Sequence, residues 1–410
     1  ELDTHHYPTY LTGVARFTNG YKVFMPTEFM HAMYDQGGGA GLRDFWDRWC
    51  TNPLFAGGFI WVYCDEAPKR SYKGGMLDSD KSNAPDGVVG PRREKEGSYY
   101  AIRAQWSPIQ LKPLLITNHF DGSFLLTNEY TFTNLKDCRM SYKVLTCGTP
   151  LQGNTETGKV IAEGGVQLPS INPGETGTAR FELPDSFREG DILELEAFDK
   201  EGKSICNWTY PIHLVKRYFE RKLTQAAPTP APPKAEARQT ADAIELKSSK
   251  VCVTFDAATG MIRHITSGET EVPFKDGPVA VGMKMRYEPS LSYTRHSSDG
   301  AIYCAKYKGA ADSIVWRLTN EGLLYMDAIL LNRGSGGSGF DDAFMDSQIF
   351  NLGLTFSYPE QNCSGMKWMG RGPYRVWKNR IAGTNYGIWH KDYNNTITGE
   401  SFENLIYPEF

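Results

Sequence analysis

Residues 26–61 read PTEFMHAMYDQGGGAGLRDFWDRWCTNPLFAGGFIW and carry the clearest fold information in the chain. Apolar runs at 23–29 and 57–63 have the length of short strands. Between them, large apolar residues recur at offsets of three and four over 42–49, which predicts a helix. A second helix is predicted over 99–106. Because strands and helices alternate, the N-terminal region is expected to be a parallel α/β unit.

This predicted unit is shorter than a closed barrel of the same type. A (β/α)8-barrel takes about 250 residues, or roughly 30 for each pair of strand and helix. Residues 1–108 would therefore supply about three of the eight pairs. If the unit belongs to a barrel, we expect most of that barrel to lie outside this chain.

Beyond the α/β unit the pattern changes to short β-strands. Alternating apolar residues and turns predict about seven strands over 109–216, which fits an immunoglobulin-like β-sandwich. Residues 217–242 contain a run of Pro, Ala and charged residues that is typical of an extended linker. Residues 243–410 again predict many short strands, beginning with a hairpin that turns at 256–260. We expect them to form a second, larger sandwich.

Composition and charge exclude several classes of partner. At ~150 residues per domain, the 410 residues correspond to about two to three domains. The chain carries 44 Lys and Arg against 48 Asp and Glu, a net charge of −4, so no nucleic-acid partner is expected. No apolar run is long enough to cross a membrane, so no membrane partner is expected. The adjacent His5 and His6 predict no metal site, because neighbouring side chains on a strand face opposite ways.

Glu28 is the residue that the pattern alone marks for catalysis. It follows the apolar run at 23–29 and precedes a Gly-rich turn at 37–41. Catalytic groups of barrel enzymes lie at the C-terminal ends of strands, and His31 is close enough along the chain to face the same pocket. The position of Glu28 also suits a solvated loop carboxylate. Likewise, the ring of Trp61 suits either a sugar-binding platform or a packed core.

Residues 26–61 resemble a segment of family 2 glycoside hydrolases of the β-galactosidase type. That segment runs from Glu-(Tyr/Phe)-x-His-Ala-Met through a Gly-rich turn and an aromatic helix to Gly-Gly-Phe-(Ile/Val)-Trp. Three further motifs follow in the family's order: Asp86-Gly-Val-Val89, Thr127-Asn-Glu-Tyr-Thr-Phe-Thr-Asn-Leu135 and Trp368-Met-Gly-Arg-Gly-Pro373. The resemblance implies a multidomain, mainly β chain. It would contain a partial (β/α)8-barrel segment, an immunoglobulin-like β-sandwich and an incomplete, large β-supersandwich related to galactose mutarotases.

The resemblance also implies roles for single residues. Glu28 corresponds to the catalytic nucleophile of a retaining glycosidase. His31 and Trp61 match positions that line the sugar subsite, and Asp86 matches a residue placed near the sugar or a bound cation. Tyr7 corresponds to a tyrosine that hydrogen-bonds the nucleophile.

The departures from the family pattern limit these expectations. The family's acid/base is a Glu after Asn in a strand that would precede Glu1, so the chain is expected to be inactive alone. The segment 61–66 reads WVYCDE where the family has Trp-Asp-Trp-Val-Asp-Gln, which leaves the sugar open. The family's main metal ligands would also lie upstream. No cofactor is therefore assigned, and a divalent or sodium cation in the full-length enzyme stays open.

Three functions are compatible with the sequence. The first is a retaining exo-glycoside hydrolase that acts on oligo- or polysaccharides with a terminal β-galactoside. The second is a related glycosidase for another β-glycoside. The third is a carbohydrate-binding β-sandwich protein without catalysis. The resemblance leaves open whether the protein forms a homo-oligomer. A location in the periplasm or in the cytoplasm of a bacterium is compatible with the resemblance.

Overall fold

A computed structural model describes residues 1–12, 15, 20–30, 41–77, 86–148, 158–214, 231–281, 287–308, 311–330, 353–373, 376 and 381–393. The chain is mainly β, as expected, and it divides into two compact units. The first unit comprises Glu1–Gln225 and Gly365–Phe410, and the second comprises Ala226–Ser364. Within the residues described, none of the helices combines the length and the apolar character needed to cross a membrane.

Four chain segments at the N-terminus pair in parallel. Strand β1 (Leu2–Asp3) pairs with β2 (Val23–Phe24). The parallel pairing continues in chain order through single bridges: His6–Glu28, Phe24–Phe55 and Cys64–Val89. Parallel neighbours need a crossover connection. Helix α1 (Leu42–Trp49) lies between the second and third segments, with the bounds predicted from the apolar spacing. A short antiparallel pair follows, β3 (Lys69–Arg70) with β4 (Met76–Leu77).

Helix α1 is anchored by an aromatic core. Leu42 and Trp49 are fully buried. The ring centroid of Trp49 lies 5.5 Å from that of Phe24 and 5.0 Å from that of Phe29. Such aromatic pairs contribute about 0.5–1.5 kcal/mol each beyond their buried area. Because Phe29 adjoins Glu28 in the chain, this packing fixes the end of the segment that carries the predicted nucleophile.

Helix α2 (Gly97–Gln105) connects the parallel segments to the sandwich that follows. The predicted helix over 99–106 is therefore present, with a slightly earlier start. Arg103 on this helix donates from Nε to the carbonyl oxygen of Ile205 at 2.7 Å and from a terminal nitrogen to Ser204 Oγ at 2.8 Å. These bonds fix the helix against the strand that contains residues 204 and 205.

Two antiparallel sheets form the predicted sandwich downstream of helix α2. Its described strands are β5 (Ile109–Leu111), β6 (Ser123–Asn128), β7 (Arg139–Thr146), β8 (Lys159–Val166), β9 (Thr176–Arg180), β10 (Ile192–Phe198) and β11 (Ser204–Pro211). One sheet has the order β11-β10-β7-β8 and the other has the order β5-β6-β9. Inward-facing apolar side chains of both sheets, such as Leu126 and Leu195, are fully buried in one core. This is the sandwich of about seven strands that the alternating pattern predicts.

The second unit is also built from antiparallel strands around one core. Its described strands are β12 (Glu236–Gln239), β13 (Ala243–Lys247), β14 (Val251–Asp256), β15 (Ile262–Ser267), β16 (Thr270–Val272), β17 (Lys275–Val281), β18 (Leu291–Ser297), β19 (Gly300–Lys306), β20 (Ala311–Thr319), β21 (Leu324–Leu330) and β22 (Gly353–Ser357). The predicted hairpin joins β14 to β15. The Asp256 carboxylate accepts from the backbone N–H of Thr259 at 2.8 Å, and Gly260 supplies a positive φ of 74°.

A hairpin near the C-terminus groups with the first unit. It consists of β23 (Gly365–Gly372) and β24 (Asn385–Asp392). The backbone N–H of Tyr386 donates to Thr209 Oγ1 on β11 at 2.6 Å. The predicted sandwich over 243–410 includes this hairpin, whereas the structure packs it against the preceding sandwich. The predicted division into a barrel segment, two sandwiches and a linker stays a prediction.

Gly383→Ala is expected to destabilise the first unit more than Gly174→Ala does. Both glycines have a positive φ, 79° and 80°, so each substitution introduces left-handed strain of about 1–2 kcal/mol. A Cβ on Gly383 would also lie 2.3 Å from the carbonyl carbon of Tyr100, whereas a Cβ on Gly174 would meet nothing within 4 Å. The backbone clash adds about 1–3 kcal/mol.

Urea unfolding followed by tryptophan fluorescence measures this difference, because eight of the nine tryptophans belong to the first unit. Equal losses of stability in the two variants would contradict the close packing of the Gly383 loop against helix α2.

Candidate functional site

Tyr7 and Glu28 meet where the first two parallel segments end. The backbone N–H of Tyr7 donates to the carbonyl oxygen of Glu28 at 2.7 Å, and its phenol donates to the Glu28 carboxylate. Burial, this hydrogen bond and the negative charges of Glu28 and Asp86 raise the pKa of Tyr7 above its ordinary value of 10. The phenol is therefore protonated near neutral pH and acts as a hydrogen-bond donor to the carboxylate.

His6 is a neighbour of Glu28 that the sequence analysis did not select. Its Nδ1 lies 3.7 Å from Oε2 of the Glu28 carboxylate. The His6 side chain is 66% exposed and that of Glu28 is 19% exposed, so a partly buried carboxylate lies beside an exposed imidazole. The parallel bridge between the two residues explains their contact, and nothing in the local sequence indicates that register.

Trp61 and Asp86 form the second contact of the site. The indole N–H of Trp61 donates to a carboxylate oxygen of Asp86 at 2.9 Å. Trp61 is held next to the second segment, because its backbone N–H donates to the carbonyl oxygen of Met30 at 3.2 Å. Asp86 is 3% exposed, and its charge acts on Tyr7. Four of the five predicted site residues, Tyr7, Glu28, Trp61 and Asp86, therefore belong to one connected group.

Asp65 is a buried carboxyl that supports Asp86 through the backbone. One of its oxygens accepts from the N–H of Gly87 at 2.7 Å. A Cβ on Gly87 would lie 2.2 Å from the backbone nitrogen of Asp65, so only glycine fits this close approach. Burial raises the pKa of Asp65 to about 7, against the lowering effect of the Gly87 hydrogen bond. Asp65 lies in the divergent segment 61–66, and nothing in its sequence pattern indicates this supporting role.

The fifth predicted site residue, His31, lies outside the described residues. The resemblance also leaves open whether the full-length enzyme binds a divalent or sodium cation. Among the residues that the structure describes, no three His, Cys, Asp or Glu side chains cluster closely enough to hold a metal ion. The described residues thus do not supply a ligand set for a cation.

Comparisons with known proteins identify relatives of the chain. Residues 124–208 match the family model for β-galactosidase, domain 4. The β-galactosidase of Actinobacillus pleuropneumoniae is 27% identical over 183 residues, which cover 43% of this chain and 16% of that protein. The β-galactosidase of Klebsiella pneumoniae strain 342 is 20% identical over 410 aligned residues, which cover 89% of this chain and 38% of that protein.

The sequence relatives confirm the resemblance to β-galactosidase-type glycoside hydrolases. A solved β-D-mannosidase from Dictyoglomus thermophilum is 13% identical and covers 57% of this chain and 26% of its own, at a TM-score of 0.19 that supports no structural argument. The chain spans 16% and 38% of the lengths of the two β-galactosidases.

The stability of the wild-type chain is expected to fall relative to that of Asp65→Asn as the pH rises. The pKa of Asp65 is about 7 in the folded chain against an ordinary value of 3.8, so the folded state binds more protons between these values. The stabilisation that the protonated Asp65 carboxyl contributes is complete below pH 3.8, and it is lost as the pH rises through about 7. Asn keeps an oxygen for the Gly87 N–H but does not titrate.

Urea unfolding of both proteins across this pH range measures the effect. We expect the difference in unfolding free energy to change by about 2 kcal/mol once solvent screening is included. A difference that stays constant with pH would contradict the burial of the Asp65 carboxyl.

Proposed function

We propose that this polypeptide, which is related to β-galactosidase-type glycoside hydrolases, supplies the nucleophile half of a retaining exo-glycosidase active site. Its substrates would be oligo- or polysaccharides with a terminal β-galactoside. The observation that carries the proposal is the contact between the Tyr7 phenol and the Glu28 carboxylate. A carboxylate that is part-buried and oriented by a protonated phenol is suited to nucleophilic attack.

The parallel segments support a barrel as the scaffold of this site. Their pairings follow the chain order, as neighbouring strands of a (β/α)8-barrel do. Helix α1 between two of them has the position of a barrel helix. Glu28 and Trp61 stand at the ends of successive segments, and barrel enzymes carry their catalytic groups at the C-terminal ends of strands. We therefore propose that residues 1–108 are part of such a barrel.

The proposed reaction is a double displacement. The Glu28 carboxylate attacks the anomeric carbon and forms an ester as the bond to the leaving oxygen breaks. A second carboxyl protonates that oxygen and later takes a proton from the water that hydrolyses the ester. Asp65 accepts the Gly87 N–H and Asp86 accepts the Trp61 N–H, which disfavours either carboxyl as the acid/base. We propose that the acid/base belongs to barrel segments beyond this chain and that the chain is inactive alone.

The sugar subsite is proposed to contain Trp61 and Asp86, with His31 as a further member from the resemblance. The hydrogen bond from Trp61 to Asp86 fixes the indole plane, which suits stacking against a sugar ring. The divergent segment that follows favours a second candidate, a related glycosidase for another β-glycoside. Tyr63 in that segment is 65% exposed, and Arg93 lies 5.5 Å from its ring centroid, so both could reach a substrate.

Glu28→Gln is expected to lower kcat/KM by at least about a thousandfold in the enzyme extended upstream to complete the barrel, because the amide cannot attack the anomeric carbon. Tyr7→Phe removes one hydrogen bond to the nucleophile and is expected to lower kcat by about a hundredfold with a small change in KM. Hydrolysis of nitrophenyl β-galactoside, β-glucuronide and β-mannoside measures both effects and identifies the preferred sugar.

Tyr21→Phe is the matched control, because its side chain is 83% exposed and it also loses only a hydroxyl. Wild-type rates in Glu28→Gln would contradict the proposed nucleophile. A strong preference for a sugar other than galactose would replace the first candidate by the second.

A further inference from the structure

We propose that a groove at the edge of the first sandwich binds a neutral saccharide. This edge groove has a volume of about 600 Å³ and lies where strand β8 meets the end of strand β9. The volume is within the range of about 300–1,000 Å³ that is typical of small-molecule sites. The groove uses none of the residues of the candidate active site, so the proposal goes beyond the proposed catalytic function and is independent of Glu28.

Two consecutive glycines open one wall of the edge groove. Gly164 and Gly165 lie on β8, which is the last strand of its sheet. A Cβ on Gly164 would lie 2.8 Å from the ring of Tyr142, whereas a Cβ on Gly165 would meet no atom of the described part of the chain within 4 Å. An edge strand also presents backbone N–H and C=O groups that its own sheet does not pair. The Tyr142 ring covers the Gly164 side of the wall, whereas the Gly165 side is open and its edge-strand backbone can form hydrogen bonds.

The inner part of the groove is aromatic. Tyr142 stacks on Phe181, with ring centroids 4.3 Å apart and an angle of 26° between the ring planes. Phe181 is 3% exposed, whereas Tyr142 is only half-buried and directs its ring towards Gly164. The buried Phe181 holds the Tyr142 ring in place, so the half-buried phenol of Tyr142 is the aromatic surface that suits the apolar face of a sugar ring.

Three planar polar side chains line the outer part of the groove. Gln167 and Arg180 are directly opposite each other in an antiparallel bridge, so their side chains project to the same side. Glu182 follows Arg180 by two residues, and the buried Phe181 between them faces the other way. All three polar residues are exposed. An amide, a guanidinium and a carboxylate are thus available on one side of the groove.

This combination of groups selects the class of ligand. The charges of Arg180 and Glu182 offset each other, which disfavours a ligand with a strong charge of either sign. Amide, guanidinium and carboxylate groups each form paired hydrogen bonds with adjacent hydroxyls. A ligand with many hydroxyls, no net charge and one apolar face suits both the polar side of the groove and the Tyr142 ring. A neutral mono- or disaccharide has these properties.

Saturation-transfer NMR on the full chain tests the proposal. The probes are three neutral sugars that this chain would not cleave: isopropyl β-thiogalactoside, methyl α-glucoside and methyl α-mannoside. We expect transfer to at least one of them. Arg180→Ala combined with Gln167→Ala should weaken its binding by about tenfold, because two hydrogen-bonding side chains are lost.

Gly165→Val tests the shape of the groove without a clash, because the open space around Gly165 accepts a side chain. We expect the new side chain to abolish the transfer. Gly353→Val is the matched control, since Gly353 also lies on a strand and no atom of the described residues is within 4 Å of a built Cβ, and it should leave the transfer unchanged. Trp61→Ala should also leave it unchanged, which separates the edge groove from the proposed catalytic site.

Three outcomes would overturn the proposal. One is the absence of transfer to all three sugars at millimolar concentrations. Another is transfer that persists in Gly165→Val, and a third is transfer that is lost in Trp61→Ala instead. If the extended protein hydrolyses none of the nitrophenyl glycosides but the edge groove still binds a sugar, the proposed function is contradicted and the groove proposal is not.

Discussion

The parallel bridge between His6 and Glu28 is the constraint on which the candidate site depends. Successive side chains of an extended segment face opposite ways, so a slip of one residue would turn the Glu28 side chain away from its partners. With the observed register, the Tyr7 N–H bonds the Glu28 carbonyl and the Tyr7 phenol bonds its carboxylate. Two bonds from one residue thus fix both the backbone and the side chain of the proposed nucleophile.

The remaining parts of the site are fixed in the same manner, through backbone contacts between neighbouring segments. Trp61 is bonded to Met30, which follows Glu28 by two residues. Asp65 is bonded to Gly87, which follows Asp86. The aromatic core behind the segments involves Phe29 and Trp49 and makes this framework rigid. Side chains placed on such a framework lose little conformational freedom when a substrate binds, which is the physical basis of preorganisation.

Much of the local structure could be predicted from the sequence. The apolar spacing over 42–49 predicted helix α1 with its bounds, and the alternation over 109–216 predicted the first sandwich. The turn at Asp256 followed from its Gly-containing loop. These features depend on neighbours within a few residues, and such patterns are visible in one sequence. The resemblance added the assignments of Glu28, Trp61 and Asp86, which spacing alone left undecided.

The parts that could not be predicted depend on contacts between distant residues. The Trp61–Asp86 and Asp65–Gly87 bonds join residues that are 25 and 22 positions apart, and their partners follow from strand register alone. The contact of His6 with Glu28 has the same origin. The hairpin of β23 and β24 packs against β11, more than 150 residues away in sequence, through Thr209. The hydrophobic periodicity of the sequence does not indicate which distant residues pair.

The most direct test of the proposed nucleophile is covalent trapping. A fluorosugar that forms a long-lived glycosyl ester would be incubated with the chain extended upstream to complete the proposed barrel, and the digested protein would be analysed by mass spectrometry. The proposed role of Glu28 predicts one sugar adduct on the peptide that contains this residue, with the ester on its side chain. An adduct on a different carboxylate, such as Asp65 or Asp86, would contradict it.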